Sequence, residues 1–271
     1  MKDHAQSLSR LMSVFVLTLS AVSAQSTPTR GSFGFLINAW FSSSAVDATG
    51  VAILGVMNFD GTGNVTGPYT YEVDARGLLA AKTTTGTFTG TYSSNPDGAG
   101  SATIALDAGI TLTLAIVTSD GGQSLQLVAT DYQFPAAKCA CIIGRVVLSG
   151  IARAAPAGKL NGSYGFQLHN SPNVNVNLGV AKFDGAGNVA LSGTFVGSSD
   201  ANGQPTPTFS LTQTGTYSIN PDGTGTINFP AVPDQNALTY AFAITDSGSG
   251  LLLMQTDRSG NGVSFGTARL Q

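Results

Sequence analysis

The chain has 271 residues, of which 42% are hydrophobic and only 10% charged, with a formal net charge of −3. That hydrophobic share is enough to build a packed core and sets the chain apart from disordered sequences. The slight acidity excludes the basic surface a nucleic-acid partner requires, so no nucleic acid is expected, and solubility has to rest on uncharged Gly, Ser, Thr and Asn.

Lys2 and Arg10 precede an apolar stretch from Leu11 to Ala21, and Val22-Ser23-Ala24 then offers small residues where a signal peptidase reads. Residues 1–24 are therefore expected to be a signal peptide cleaved after Ala24. The mature chain would have 247 residues and, without Lys2, Asp3 and Arg10, a charge of −4. The stretch is shorter than the about 20 apolar residues of a transmembrane helix, so no membrane span is expected. The expectation is export to the periplasm, cell surface or extracellular space.

From Gly31 the chain says nearly the same thing twice. Gly31-Ser32-Phe33-Gly34-Phe35 returns as Gly162-Ser163-Tyr164-Gly165-Phe166, and Phe59-Asp60-Gly61-Thr62-Gly63-Asn64-Val65 as Phe183-Asp184-Gly185-Ala186-Gly187-Asn188-Val189. Gly90-Thr91-Tyr92-Ser93 with Asn95-Pro96-Asp97-Gly98 returns as Gly215-Thr216-Tyr217-Ser218 with Asn220-Pro221-Asp222-Gly223. Two domains follow, 31–153 and 162–271, joined by a linker at 154–161.

Turn signals in each copy separate runs that alternate apolar and polar, the all-β pattern. The first copy predicts strands at 32–41, 50–59, 64–73, 85–93, 101–107, 110–118, 123–131 and 144–153. The second predicts them at 162–169, 176–183, 188–196, 209–219, 224–229, 238–245, 251–257 and 262–270. Ile110, Leu112, Leu114 and Ile116 point one way and Thr111, Thr113 and Ala115 the other; Tyr240, Phe242 and Ile244 likewise oppose Ala241 and Ala243. One face is thus expected to be buried, the other small or polar. The links are mostly short, as antiparallel neighbours require. An eight-stranded meander can close on itself and so remove its edges. The expected fold is all-β: two tandem eight-stranded antiparallel up-and-down barrels of calycin-like type.

Asp occurs fourteen times and Glu once, at Glu72. Asp bonds its own backbone and tolerates left-handed conformations, so an acidic set made of Asp points to turns. Asp60, Asp97, Asp120, Asp184 and Asp222 each precede Gly and are expected to close hairpins. Asp60 with Asn64 and Asp184 with Asn188 offer oxygens to a weak calcium ion, but the alternating acids and closing Glu of a helix–loop–helix site are missing. No metal or other cofactor is expected.

The first copy carries a ten-residue insertion before its last strand, and it holds the two cysteines, Cys139 and Cys141. A strained local disulfide, idle thiols, a redox pair and an intermolecular link are all compatible with this spacing. His169 is the one histidine of the mature chain and is expected at a surface or rim. No nucleophile-elbow pattern surrounds a serine, and no catalytic residue is assigned. The aromatic residues Phe33, Phe35, Trp40 and Tyr92, with Tyr164, Phe166 and Tyr217 in the second copy, are the candidates for lining a ligand cavity. Core packing is the competing role for the same side chains.

The run Gly-x-Tyr/Phe-x-Phe, Phe-Asp-Gly-x-Gly-Asn, Gly-Thr-Tyr-Ser-x-Asn-Pro-Asp-Gly resembles a repeated pattern of exported bacterial proteins. More distantly it resembles lipocalin-like and allene-oxide-cyclase-like barrels; Gly31-x-Phe33 and Gly162-x-Tyr164 stand where lipocalins have Gly-x-Trp. The resemblance implies an eight-stranded barrel and ligand binding. The leading functional expectation is an exported, non-enzymatic protein that binds a small apolar molecule or serves as a cell-envelope module. The rivals are an adhesive protein that contacts a glycan and an isomerase- or cyclase-like enzyme housed in a barrel.

Overall fold

The computed structural model describes residues 29–42, 48–75, 82–133, 149–155, 159–171, 175–196, 209–233, 236–257 and 263–271. The expected signal peptide and the Cys139-Ala140-Cys141 insertion lie outside the described residues. The first barrel comprises β1 (Arg30–Ser42), β2 (Ala48–Asp60), β3 (Asn64–Ala75), β4 (Lys82–Ser94), β5 (Ala99–Leu106), β6 (Thr111–Ser119), β7 (Ser124–Gln133) and β8 (Ser149–Ala154). The second comprises β9 (Asn161–Ser171), β10 (Asn175–Asp184), β11 (Asn188–Val196), β12 (Phe209–Ile219), β13 (Thr224–Phe229), β14 (Leu238–Thr245), β15 (Gly250–Gln255) and β16 (Val263–Leu270). Within each barrel every strand pairs antiparallel with its sequence neighbours, and β1–β8 and β9–β16 pairing closes the two cylinders.

All sixteen strands overlap those expected from turn spacing and alternation. Tight curvature is carried by glycine: a Cβ on Gly67 would lie 1.7 Å from the carbonyl oxygen of Val56 on β2, so nothing larger fits that bend. Phe88 lies over the bare backbone there. The second barrel exchanges the sizes across the same strand pair, with Leu191 opposite Gln213 where the first has Gly67 opposite Phe88. Large and small partners trade places and the cylinder keeps its width.

Each barrel has its own core of inward side chains. A third core lies between the barrels. Leu36, Ala52, Leu54 and Val56 of β1 and β2 meet Ala241, Ala243, Leu252, Met254 and Val263 of β14, β15 and β16. Ala241 and Ala243 do point outward, as the alternation requires, but they are 6% and 0% exposed because the first barrel covers them. The approach is close: a Cβ on Gly34 would lie 3.0–3.2 Å from Thr245, Ile244 and Ala243. Strands buried on both faces read as unbroken apolar runs, which is what Val51 to Met57 and Leu251 to Met254 are.

Polar groups rim this seam. Asp246 is gripped by Arg269 of its own barrel at 3.0 Å and by Arg153 of the other at 3.7 Å. Glu72 is 4% exposed. The Thr83 hydroxyl sits between the Glu72 carboxylate and the Thr256 carbonyl of the second barrel, 3.0 Å from the latter.

Candidate functional site in the second barrel

Of the candidate aromatic residues, Phe33, Phe35, Tyr92, Tyr164, Phe166 and Tyr217 point inward and pack in the barrel cores. Phe33, Phe59 and Tyr92 form an edge-to-face chain with centroids 5.6 and 4.9 Å apart, and Tyr164, Phe183 and Tyr217 repeat it at 5.3 and 5.0 Å. Such pairs add to burial because the positive ring edge meets the negative face. Phe35 packs edge-on against Phe88 at 5.9 Å, and Phe166 belongs to the second core. The Tyr92 hydroxyl donates to the Thr29 carbonyl at 2.6 Å, and that of Tyr217 to the Leu160 carbonyl at 2.9 Å, pinning the chain as it enters each barrel. Tyr164 donates to the Gly248 carbonyl at 2.6 Å; burial pushes its phenol above the ordinary range, with Tyr217 adding to it. These six residues therefore close one end of each barrel or fill its middle. The side chain of Trp40 and the pair Cys139 and Cys141 lie outside the described residues.

The aspartates hold turns. Asp60 accepts from the Thr62 and Asn64 amides at 2.7 and 3.0 Å and from their side chains at 2.6 Å each. Asp184 repeats this with Ala186 and Asn188. These donors stabilise the ionised form and hold both carboxyls below the usual range. Asp97 and Asp222 accept from the amides of Ala99 and Thr224. At the opposite end of the first barrel Asp107 accepts from Tyr69 at 2.6 Å and from the Thr87 amide at 3.0 Å. Burial, then the bond to Asp107, pushes the Tyr69 phenol up to about 12. His169 is exposed on β9 with its Nε2 3.1 Å from Gln167, a surface position as expected.

The two interiors differ in polarity, and this the sequence reading missed. Strand register places Asn177, Gln213 and Tyr240 where the first barrel has Ile53, Phe88 and Leu114. Ile53, Phe88 and Leu114 are each no more than 1% exposed, and their replacements are 8%, 3% and 6% exposed. The polar groups are buried, as are the apolar ones they replace. Neither the oxygen nor the nitrogen of the Gln213 amide has a hydrogen-bond partner among the described residues. Burial, helped by the Asp257 carboxylate, pushes the Tyr240 phenol above its ordinary range, so it stays protonated and able to donate. Leu168, Leu191, Leu211 and Leu253 complete an apolar wall around this level. Aligning Leu211-Thr212-Gln213-Thr214-Gly215 with Gly86-Thr87-Phe88-Thr89-Gly90 and asking which residues face inward would have found the difference.

A shallow trough of about 840 Å³ runs across the outer wall of β10–β14, lined by Lys182, Asn188, Thr214, Thr216, Asn228 and Thr239 among others. Among the described residues no helix is long and apolar enough to cross a membrane.

A scan of protein-family models and a search of curated proteins both give no match. Among solved structures, kievitone hydratase from Nectria haematococca is similar at 8% identity and a TM-score of 0.33, covering 91% of this chain and 90% of the hydratase. A porin-like protein from Bacteroides uniformis is similar at 9% identity and a TM-score of 0.16, covering 87% and 95%. At such scores neither likeness carries a fold or an activity to this chain, and neither bears on the lipocalin-like resemblance. What the chain shows is two closed eight-stranded antiparallel barrels in tandem.

Proposed function

We propose that this is an exported, non-enzymatic binding protein whose second barrel takes one small, largely apolar molecule while the first serves as a packed structural partner. The observation that carries the reading is the Gln213 amide, 3% exposed with neither polar atom bonded among the described residues. Burying an amide without partners costs on the order of several kcal/mol in an apolar surround, so a bound group that satisfies it recovers a large term. A primary amide offers one donor and one acceptor side by side, which suits a carboxylic acid or carboxamide head. Tyr240 adds a donor, and the surrounding leucines suit an apolar body. An eight-stranded cylinder is the size at which side chains either fill the interior or leave space for one small ligand. The reading is one of binding because the described carboxylates of the second barrel are all engaged: Asp184 and Asp222 at turns, Asp246 by Arg153 and Arg269, and Asp257, which acts on Tyr240, by the Thr239 amide and the Gln255 side chain.

The test is native mass spectrometry of the protein purified from its own host, compared with the denatured chain. A small molecule retained by the wild type and lost from Gln213→Leu supports the reading. A wild-type protein that retains no organic molecule overturns it. A second reading, glycan contact, is favoured by the outer trough, where Thr214, Thr216, Asn228 and Thr239 alternate with apolar Ala190, Pro230 and Ala237, a mixture that suits the hydroxyls and the apolar face of a sugar ring; a glycan array with Thr214→Lys as the control tests it, and no bound glycan removes it.

A further inference from the structure

We infer that the seam between the two barrels is made a second time between molecules, with the β9–β10 face of one chain docked on the β6–β7–β8 face of a second copy. The seam joins unlike faces: β1–β2 of the first barrel meets β14–β16 of the second. Because the barrels are repeats, each leaves its other face without a counterpart among the described residues. The strand registers make the correspondence explicit. Gly34 opposite Val56 and Leu36 opposite Leu54 become Gly165 opposite Val180 and Gln167 opposite Leu178. Ala241 opposite Met254 and Ala243 opposite Leu252 become Ala115 opposite Val128 and Val117 opposite Gln126.

At these positions the chain exposes what the seam buries. Leu54, Ala243 and Met254 are 1%, 0% and 0% exposed, whereas Leu178, Val117 and Val128 are 51%, 52% and 45% exposed. The faces also complement one another. Leu36 and Leu252, both in the seam, are replaced on the two free faces by Gln167 and Gln126, so the change from apolar to amide is made on both sides. Gly34, which lets β14 approach closely, returns as Gly165, over which only the flexible side chain of the terminal Gln271 lies. Charge repeats as well. Asp246 and Asp120 each open a one-turn helix with positive φ, at 52° and 54°. Asp246 receives Arg153 from the other barrel; the counterpart pair across the second seam is Asp120 with Arg269, which there bridges Asp120 of the second chain and Asp246 of its own barrel. Such a contact is heterologous, each molecule presenting one face of each kind. With amides in place of two leucines it is weaker than the seam and reversible.

Sedimentation velocity over a concentration series, in reducing buffer so that cysteine cross-links play no part, tests the inference. The wild type is expected to associate as concentration rises. Val128→Glu and Leu178→Glu are each expected to be monomeric with unchanged thermal unfolding, since both side chains are exposed in the single chain. Mixing the two variants restores a one-to-one pair, because each keeps the face the other has lost. A wild type that stays monomeric, association that survives either substitution, or a mixture that stays monomeric overturns it. None of these outcomes depends on ligand in the second barrel.

Discussion

Phe88 and Gln213 stand at the same inward position of successive barrels, the first edge-on against Phe35 at 5.9 Å and the second with both amide atoms unbonded among the described residues. At this position one interior is satisfied by carbon contacts, and the other holds a polar group awaiting a complement. The difference has a thermodynamic signature that is independent of any ligand's identity.

In protein stripped of bound molecules, Gln213→Leu is expected to raise stability by about 1–3 kcal/mol, the cost of a buried amide left unsatisfied. For a chain of this size each kcal/mol moves Tm by about 2–4 °C. Scanning calorimetry of the two proteins measures the shift. A fall in Tm would mean that the amide already has its partners inside the barrel.

Leu54 and Leu178 provide a matched pair for the seam. Truncating Leu54, which is 1% exposed between the barrels, leaves a cavity and is expected to cost about 2–5 kcal/mol. Truncating Leu178, which is 51% exposed in the isolated chain, is expected to change stability by no more than about 0.5 kcal/mol. Denaturant unfolding of Leu54→Ala and Leu178→Ala at low concentration gives both values. Loss of the seam also uncouples the barrels, so the Leu54 variant should show two transitions where the wild type shows one.

The architecture was legible because hairpin chemistry and alternation are local. Asp60 and Asp184 bind their own loops, and that is enough to place a turn between two strands without knowledge of anything distant. Pairing of neighbours then fixes the meander, and a count of eight fixes closure. What stayed hidden needs contacts across the molecule. That Ala243 is covered follows from an unbroken apolar run on the neighbouring strand, a signal present in Leu251 to Met254 but ambiguous by itself. That Phe35 and Tyr217 pack inward could be read from alternation, whereas their stacking on Phe88 and Phe183 could not. The polarity of the second interior was written in the comparison of the two copies, where the inward Ile53, Phe88 and Leu114 become Asn177, Gln213 and Tyr240.

Acid sensitivity follows from the turn aspartates. Asp60, Asp107 and Asp184 are held below the ordinary carboxylate value of 3.8, each mainly by side-chain hydrogen bonds: Thr62 and Asn64 for Asp60, Tyr69 for Asp107, and Asn188 for Asp184. A carboxyl whose folded value is depressed contributes stability that is fully present above the unfolded value and is lost as pH falls through the folded one. Tm is therefore expected to hold level at mildly acidic pH and to fall once the pH drops below about 4. Asp60→Asn with Asp184→Asn should flatten that fall while lowering Tm at neutral pH. Thermal melts of both proteins across the acid range check the sign, and a wild type as stable at low pH as at neutral pH would refute it.

The entry latch gives a graded expectation. Tyr217 reaches the carbonyl of Leu160, a residue 0% exposed, so Tyr217→Phe leaves that acceptor buried without its donor and is expected to cost about 1–3 kcal/mol. Tyr92 makes the equivalent bond to Thr29, where water can replace the lost hydroxyl, so Tyr92→Phe is expected to cost about 0.5–1.5 kcal/mol. Both variants keep their rings edge-on against Phe183 and Phe59, so the packing is unchanged and the difference isolates the hydrogen bond. Urea unfolding should show a lower midpoint with unchanged slope in each, the larger shift in Tyr217→Phe. Equal shifts would show that water satisfies the Leu160 carbonyl as readily as it does that of Thr29.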